Sequence, residues 1–168
     1  MAILISPMIV PLIITAAGMF FFYARINLVY TFTGVILAHV ALATPFVVIT
    51  VTATLVGFDM NMVKASQSLG ARPVRTFFKV IMPLILPGVI SGALFAFITS
   101  FDEVVIVMFM ASLDQLTIPK QMWAGIRQEI SPVILCMATC LVVLSIFLLT
   151  TVELLRRRSE KLRGIKSR

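Results

Sequence analysis

A chain of 168 residues that is 60% hydrophobic and 12% charged, with a mean hydropathy of +1.09, is not written for water, since soluble domains carry about 25% charged residues. The formal charge of +7 does not point to nucleic acid, because Arg156, Arg157, Arg158, Lys161, Arg163, Lys166 and Arg168 all follow the last apolar stretch. That is where the positive-inside rule puts a cytoplasmic anchor, so the partner that composition implies is membrane lipid.

Four stretches, Ala2 to Ala24, Asn27 to Phe58, Ile81 to Phe101 and Ile130 to Val152, contain no Asp, Glu, Lys or Arg. Each meets the requirement of about 20 apolar residues for a spanning helix. The expected fold class is all-α: a polytopic membrane helix bundle with four spans, near 3–23, 31–57, 83–112 and 131–152. They form one transmembrane domain, 1–155, with a cytoplasmic loop at 59–80 and a basic cytoplasmic tail at 156–168. Lys64, Arg72, Arg75 and Lys79 outweigh Asp59 in that loop, whereas Asp114, Lys120, Arg127 and Glu129 cancel in the next one. Charge and parity then place both termini inside and the 113–129 loop outside.

The first stretch lacks a basic n-region and a small-residue cleavage site, and so reads as a span rather than a signal peptide. Pro7 and Pro11 within it, and Pro45 in the second, remove backbone donors and predict kinks. His39 lies mid-span, where a polar residue faces other protein. With no second His to complete a site, it reads as a helix-packing hydrogen-bond group rather than a metal ligand.

The next segment, "MVKASQSLGARPVRTFFKVIMPLILPG" from Met62 to Gly88, is basic and punctuated by Gly and Pro. Asp59 or Asn61 is placed to cap a short helix ending at Leu69; Gly70 supplies the left-handed residue after it, and Pro73 restarts a second helix. Two short helices at an angle make a knob suited to docking. An interfacial turn held by snorkelling Arg and Lys is the other reading of the same residues.

In the third span Gly88, Gly92 and Ala96 form a small-residue stripe that lets another helix approach. Asp102 and Glu103 then interrupt an apolar run that continues to Met110. They read either as a wetted helix end or as the lining of a solute path, and adjacent helical residues cannot both face it squarely. "TIPKQMWAGIRQEISP" predicts a short interfacial helix with Trp123 at headgroup depth. Ser131 caps the last span with Pro132 at its first position, and Cys136 and Cys140 lie one turn apart within that span as packing or lipid-facing residues.

Within the basic loop, Lys64-Ala65-Ser66, then Gly70, then "VIMP" ending at Pro83 resembles the cytoplasmic EAA loop of binding-protein-dependent ABC importer permeases. Ala65, Gly70 and Pro83 match that pattern, Ser66, Val80 and Met82 are small or apolar equivalents, and Lys64 replaces a Glu. "GALFAFITSFDEVVIVMFM" and "TIPKQMWAGIRQEISPVIL" are similar to the fifth and sixth spans of the spermidine/putrescine permease group. That family has six spans, and the resemblance implies that this chain holds counterparts of the last four and lacks the first two.

The resemblance further implies a subunit of the bacterial inner membrane whose Lys64, Ala65, Ser66, Gly70 and Pro83 couple it to a separate ABC ATPase, beside a second permease subunit and an extracytoplasmic solute-binding protein. Asp102 and Glu103 would line the path of a small cation such as a polyamine. The chain has no G-x-x-x-x-G-K-[ST] loop, so neither a cofactor nor catalysis of its own is expected, and ATP hydrolysis is assigned to the partner. A self-contained channel or proton-coupled carrier using Asp102 and Glu103 is the alternative.

Overall fold

The structure, a computed structural model, describes residues 2–128 and 131–162. Glu129 of the outer loop, Ile130 at the start of the last apolar stretch, and the basic tail from Arg163 onward lie outside the described residues. The described residues are helices and connecting turns, with no strand among them.

The first apolar stretch forms two helices, α1 (Ala2–Ile9) and α2 (Leu12–Arg25). Its two prolines behave differently. Pro7 stays inside α1, whereas Pro11 adopts φ −52° and ψ 131° and breaks the helix. The Pro11 carbonyl then nucleates α2 by accepting the N–H groups of Ile14 and Thr15 at 2.9 and 3.1 Å. At 14 residues, α2 is about 21 Å long and does not by itself cross a hydrocarbon core of about 30 Å.

Among the described residues, three helices are long and apolar enough to cross. Helix α3 (Phe32–Val56) starts at Thr31, whose hydroxyl accepts the Gly34 N–H at 3.0 Å, and runs unbroken through the buried Pro45. Two short helices, α4 (Asn61–Ser68) and α5 (Pro73–Thr76), follow on the loop side. Helix α5 passes through a π-helical turn (Phe77–Ile81) into α6 (Met82–Phe101), making one helical rod of 29 residues from Pro73 to Phe101.

The apolar run does not continue as one helix to 112. At Asp102 the helix stops, and the short α7 (Val105–Met110) begins after three residues. A 3-10 turn (Leu113–Gln115) and α8 (Ile118–Gln128) precede the last helix, α9 (Pro132–Leu162). Ser131 caps α9, its Oγ accepting the Val133 N–H at 3.2 Å. Because α9 runs without interruption past Arg156, the first part of the basic tail extends the span as helix. Cys136 and Cys140 are free and exposed on α9.

The antiparallel pair α3·α6 is the spine of the bundle. Thr50 and Thr54 turn their hydroxyls back onto their own helix, at 2.9 Å from the carbonyls of Phe46 and Thr50. Gly88 lies against Thr54, and Gly92 against Thr50 and Val47, so closely that a Cβ on either glycine would collide. Phe46 stacks on Phe95 with centroids 6.4 Å apart, and at the far end His39 Nδ1 meets Ser100 Oγ at 2.9 Å. The small-residue stripe is thus a helix-packing device, and the mid-span histidine is a helix-packing group.

Helix α7 folds back onto α2 and α3, and Ile106 and Met110 complete a buried cluster with Ala16, Tyr23, Ala38 and Leu42. On the other side α9 touches α6 and α8. Large apolar side chains including Phe21, Phe22, Val143, Ile146 and Phe147 stay exposed, as expected of a surface that faces lipid or another subunit rather than water.

Candidate functional site

The knob between α3 and α6 is built by one chain reversal. Asp59 accepts the Asn61 N–H at 2.9 Å and opens α4. Helix α4 closes with the two bonds of a Schellman motif: Ala71 N–H to Ser66 carbonyl at 3.1 Å and Gly70 N–H to Gln67 carbonyl at 2.9 Å. The motif requires a left-handed residue, and Gly70 supplies it with φ +77°. Arg72 is then extended, with ψ 153°, as the residue before a proline should be, and Pro73 starts α5.

The two limbs are joined by Ser66 and Thr76, whose hydroxyls lie 2.9 Å apart, with Thr76 2% exposed. Ser66 is therefore the hinge-side tie of the knob, a role that neither its helix nor its position reveals in the sequence. Between the limbs lies a cavity of about 480 Å³ lined by Ala65, Ser66, Leu69, Gly70, Arg75 and neighbours. Lys64 is exposed beside it, and Met62, Leu69, Val74 and Phe78 are exposed apolar residues around it. Pro83 stands just beyond the π-turn, where Met82 N–H reaches back five residues to the Phe77 carbonyl. A proline crowds the carbonyl four residues before it, and the wider π-turn accommodates that crowding. Lys64, Ala65, Ser66 and Gly70 thus share one surface element, with Pro83 at its base.

At the other end of α6 the acidic pair separates. Glu103 is 6% exposed, and its Oε1 accepts the Ile106 N–H at 2.7 Å. It thus satisfies an orphan donor at the start of α7 and puts negative charge at the positive end of that helix. This competing local bond is a physical reason why α6 does not continue through Glu103. Asp102 instead lines a cavity of about 530 Å³ together with Phe101, Val104, Trp123 and Ile126. A neighbouring cavity of about 550 Å³ includes His39, Ser100 and Thr117. Both are mostly apolar walls with a few polar groups.

The opposite end of α7 is held by Lys120, which the sequence marks only as one charge of its loop, and by Tyr30 and Gln115. Lys120 Nζ donates to the carbonyls of Val107 and Ala111 at 3.2 and 3.3 Å, which places a cation at the negative end of the helix. Burial draws the Lys120 pKa below the ordinary lysine value. The Met110 carbonyl accepts the Tyr30 N–H at 3.0 Å, and Gln115 Nε2 donates to the Tyr30 carbonyl at 2.9 Å. Tyr30 makes both bonds from a left-handed conformation, φ +62°. A signal for Lys120 was present: in the first turn of α8 a cation opposes its own helix dipole, so it needs a partner elsewhere. Nothing comparable marks Tyr30 or Gln115.

Residues 1–161 match the family described as the binding-protein-dependent transport system inner membrane component. The chain is 32% identical over 152 residues to the spermidine/putrescine transport system permease protein of Haemophilus influenzae, covering 90% of this chain and 59% of that protein. The corresponding protein of Escherichia coli K12 is 30% identical over 154 residues, 92% of this chain and 58% of the relative. The putrescine transport system permease protein of the same organism is 35% identical over 103 residues, 61% of this chain and 37% of that protein. The chain thus spans about six tenths of the length of the first two relatives.

Proposed function

This chain belongs to the binding-protein-dependent transport system inner membrane component family, and on that premise we propose that it is a permease subunit of an ATP-driven importer of polyamines, spermidine or putrescine. It forms part of the solute path and draws its energy from a separate ATPase that docks on the knob of α4 and α5; the chain itself does not hydrolyse ATP. The single observation that carries the coupling role is the Schellman-closed reversal at Gly70. It presents Met62, Leu69 and Val74 outward on a polar, basic element, an exposed apolar grouping that a protein partner would bury.

The reading places the knob and the basic tail on the cytoplasmic side and α8 on the side where a solute-binding protein delivers its cargo; α1 and α2 together make the fourth crossing that brings the N-terminus to the cytoplasmic side as well. The exposed apolar flank of the bundle is then covered by lipid and by a second permease subunit. Asp102, facing a cavity, is the anionic group offered to a cationic solute, whereas Glu103 serves the architecture of that wall. The test is uptake of labelled spermidine by membranes carrying this chain with its ATPase, second permease and binding protein. Uptake should require ATP and fall to background when the ATPase subunit is omitted; uptake that persists without it refutes the reading.

A further inference from the structure

Every end of α7 is tied to a different part of the outer bundle. Glu103, just after α6, holds its first turn through the Ile106 N–H. Lys120, from α8, holds its last turn through the Val107 and Ala111 carbonyls. The Tyr30 backbone, in the turn between α2 and α3, is bonded on one side by Met110 and on the other by Gln115. A six-residue helix is far too short to be stable on its own, so its position is set by these ties and by Ile106 and Met110 in the core cluster.

We propose that Lys120 is a positioning residue that makes α7 move with α8, so that displacement of the outer helix is passed through α7 to the α2–α3 turn. The relay has one charged joint. Helix α8 leaves the bundle only if the ammonium gives up both carbonyls, and the carbonyls at the end of α7 then lose a donor. Trp123 and Ile126, on the same helix, line the cavity that Asp102 faces, so a shift of α8 also reshapes that wall. In the importer proposed above, on which this functional consequence rests, a partner docking outside would act on the bundle through this joint.

The tie is read without solute, ATP or partners, so its failure is distinguishable from failure of the transport reading. Hydrogen–deuterium exchange of the full chain in lipid nanodiscs follows the amides of 105–111 and 28–31. Lys120→Met, which keeps length and loses charge, should speed exchange in both segments about tenfold or more, while the Val47–Thr54 face of α3 stays protected. Lys120→Arg should restore protection, because a guanidinium also donates to carbonyls. Should Lys120→Met not accumulate in the membrane, Lys120→Gln provides the same comparison. Unchanged exchange in the uncharged variant, or equal loosening by Lys120→Arg, overturns the proposal.

Discussion

Adjacent residues of like charge can lie in unrelated surroundings, and Asp102 and Glu103 do so here. Reach alone favours the longer Glu103 for a solute path, but the structure spends its carboxylate on the Ile106 amide and leaves Asp102 at the cavity. Asp102→Asn should therefore insert and fold normally and reduce cation uptake about tenfold, the loss of roughly 1.4 kcal/mol of attraction. Glu103→Gln keeps an acceptor but removes the charge at the start of α7, and should lower the stability of the solubilised chain by about 1 kcal/mol. Thermal denaturation beside an uptake assay separates the two; the reverse assignment of effects would return Glu103 to the path. Lys64 is exposed, so Lys64→Glu should change stability by less than about 0.5 kcal/mol and leave co-purification with the ATPase intact. A loss of association that high salt reverses would instead show a partner groove matched to a cation.

At the scale of the element, the legible features were those governed by local rules. Gly70 and Pro73 announce the reversal because a left-handed position and a helix start have few alternatives in residue type, and Gly88 and Gly92 announce the close crossing for the same steric reason. Illegible from the sequence were the break at Pro11 rather than Pro7 and the fold-back of α7, whereas a helix end at Asp102 is one of the two readings the residues leave open. The fold-back depends on the distant groups that meet the end of α7, Lys120 and the Tyr30 backbone, and periodicity carries no such information. Two predictions belong here. A side chain at Gly70 meets nothing within 4 Å, so Gly70→Leu costs only the left-handed conformation, about 1–2 kcal/mol. The variant should reach the membrane yet lose co-purification with the ATPase. Gly92→Leu, by contrast, meets Thr50 and the Val47 backbone and should destabilise the α3·α6 pair by about 1–3 kcal/mol or more. Gly18→Leu, with open space around it, serves as the control in the same denaturation experiment.

The whole molecule is an open bundle: a small core where α2, α3 and α7 meet, an α3·α6 spine, and an α9 whose apolar window has no buried residue. Hydropathy made its class, an all-helical membrane bundle, readable, because lipid imposes that on any sequence, whereas the division of the first apolar stretch into α1 and α2 was not. The knob and the Asp102 end of α6 lie at opposite ends of one helical rod, Pro73 to Phe101, the element through which, in the proposed reading, an ATPase docked on the knob would act on the Asp102 cavity. The central claim is that energy enters through the knob from a separate subunit. Its most direct test is spermidine uptake into proteoliposomes holding the assembled transporter, with wild-type chain or Gly70→Leu, supplied either with internal ATP or with only a proton gradient. The account predicts uptake with ATP and the wild-type chain alone, and none driven by the gradient; uptake driven by the gradient, or undiminished ATP-dependent uptake with Gly70→Leu, would contradict it.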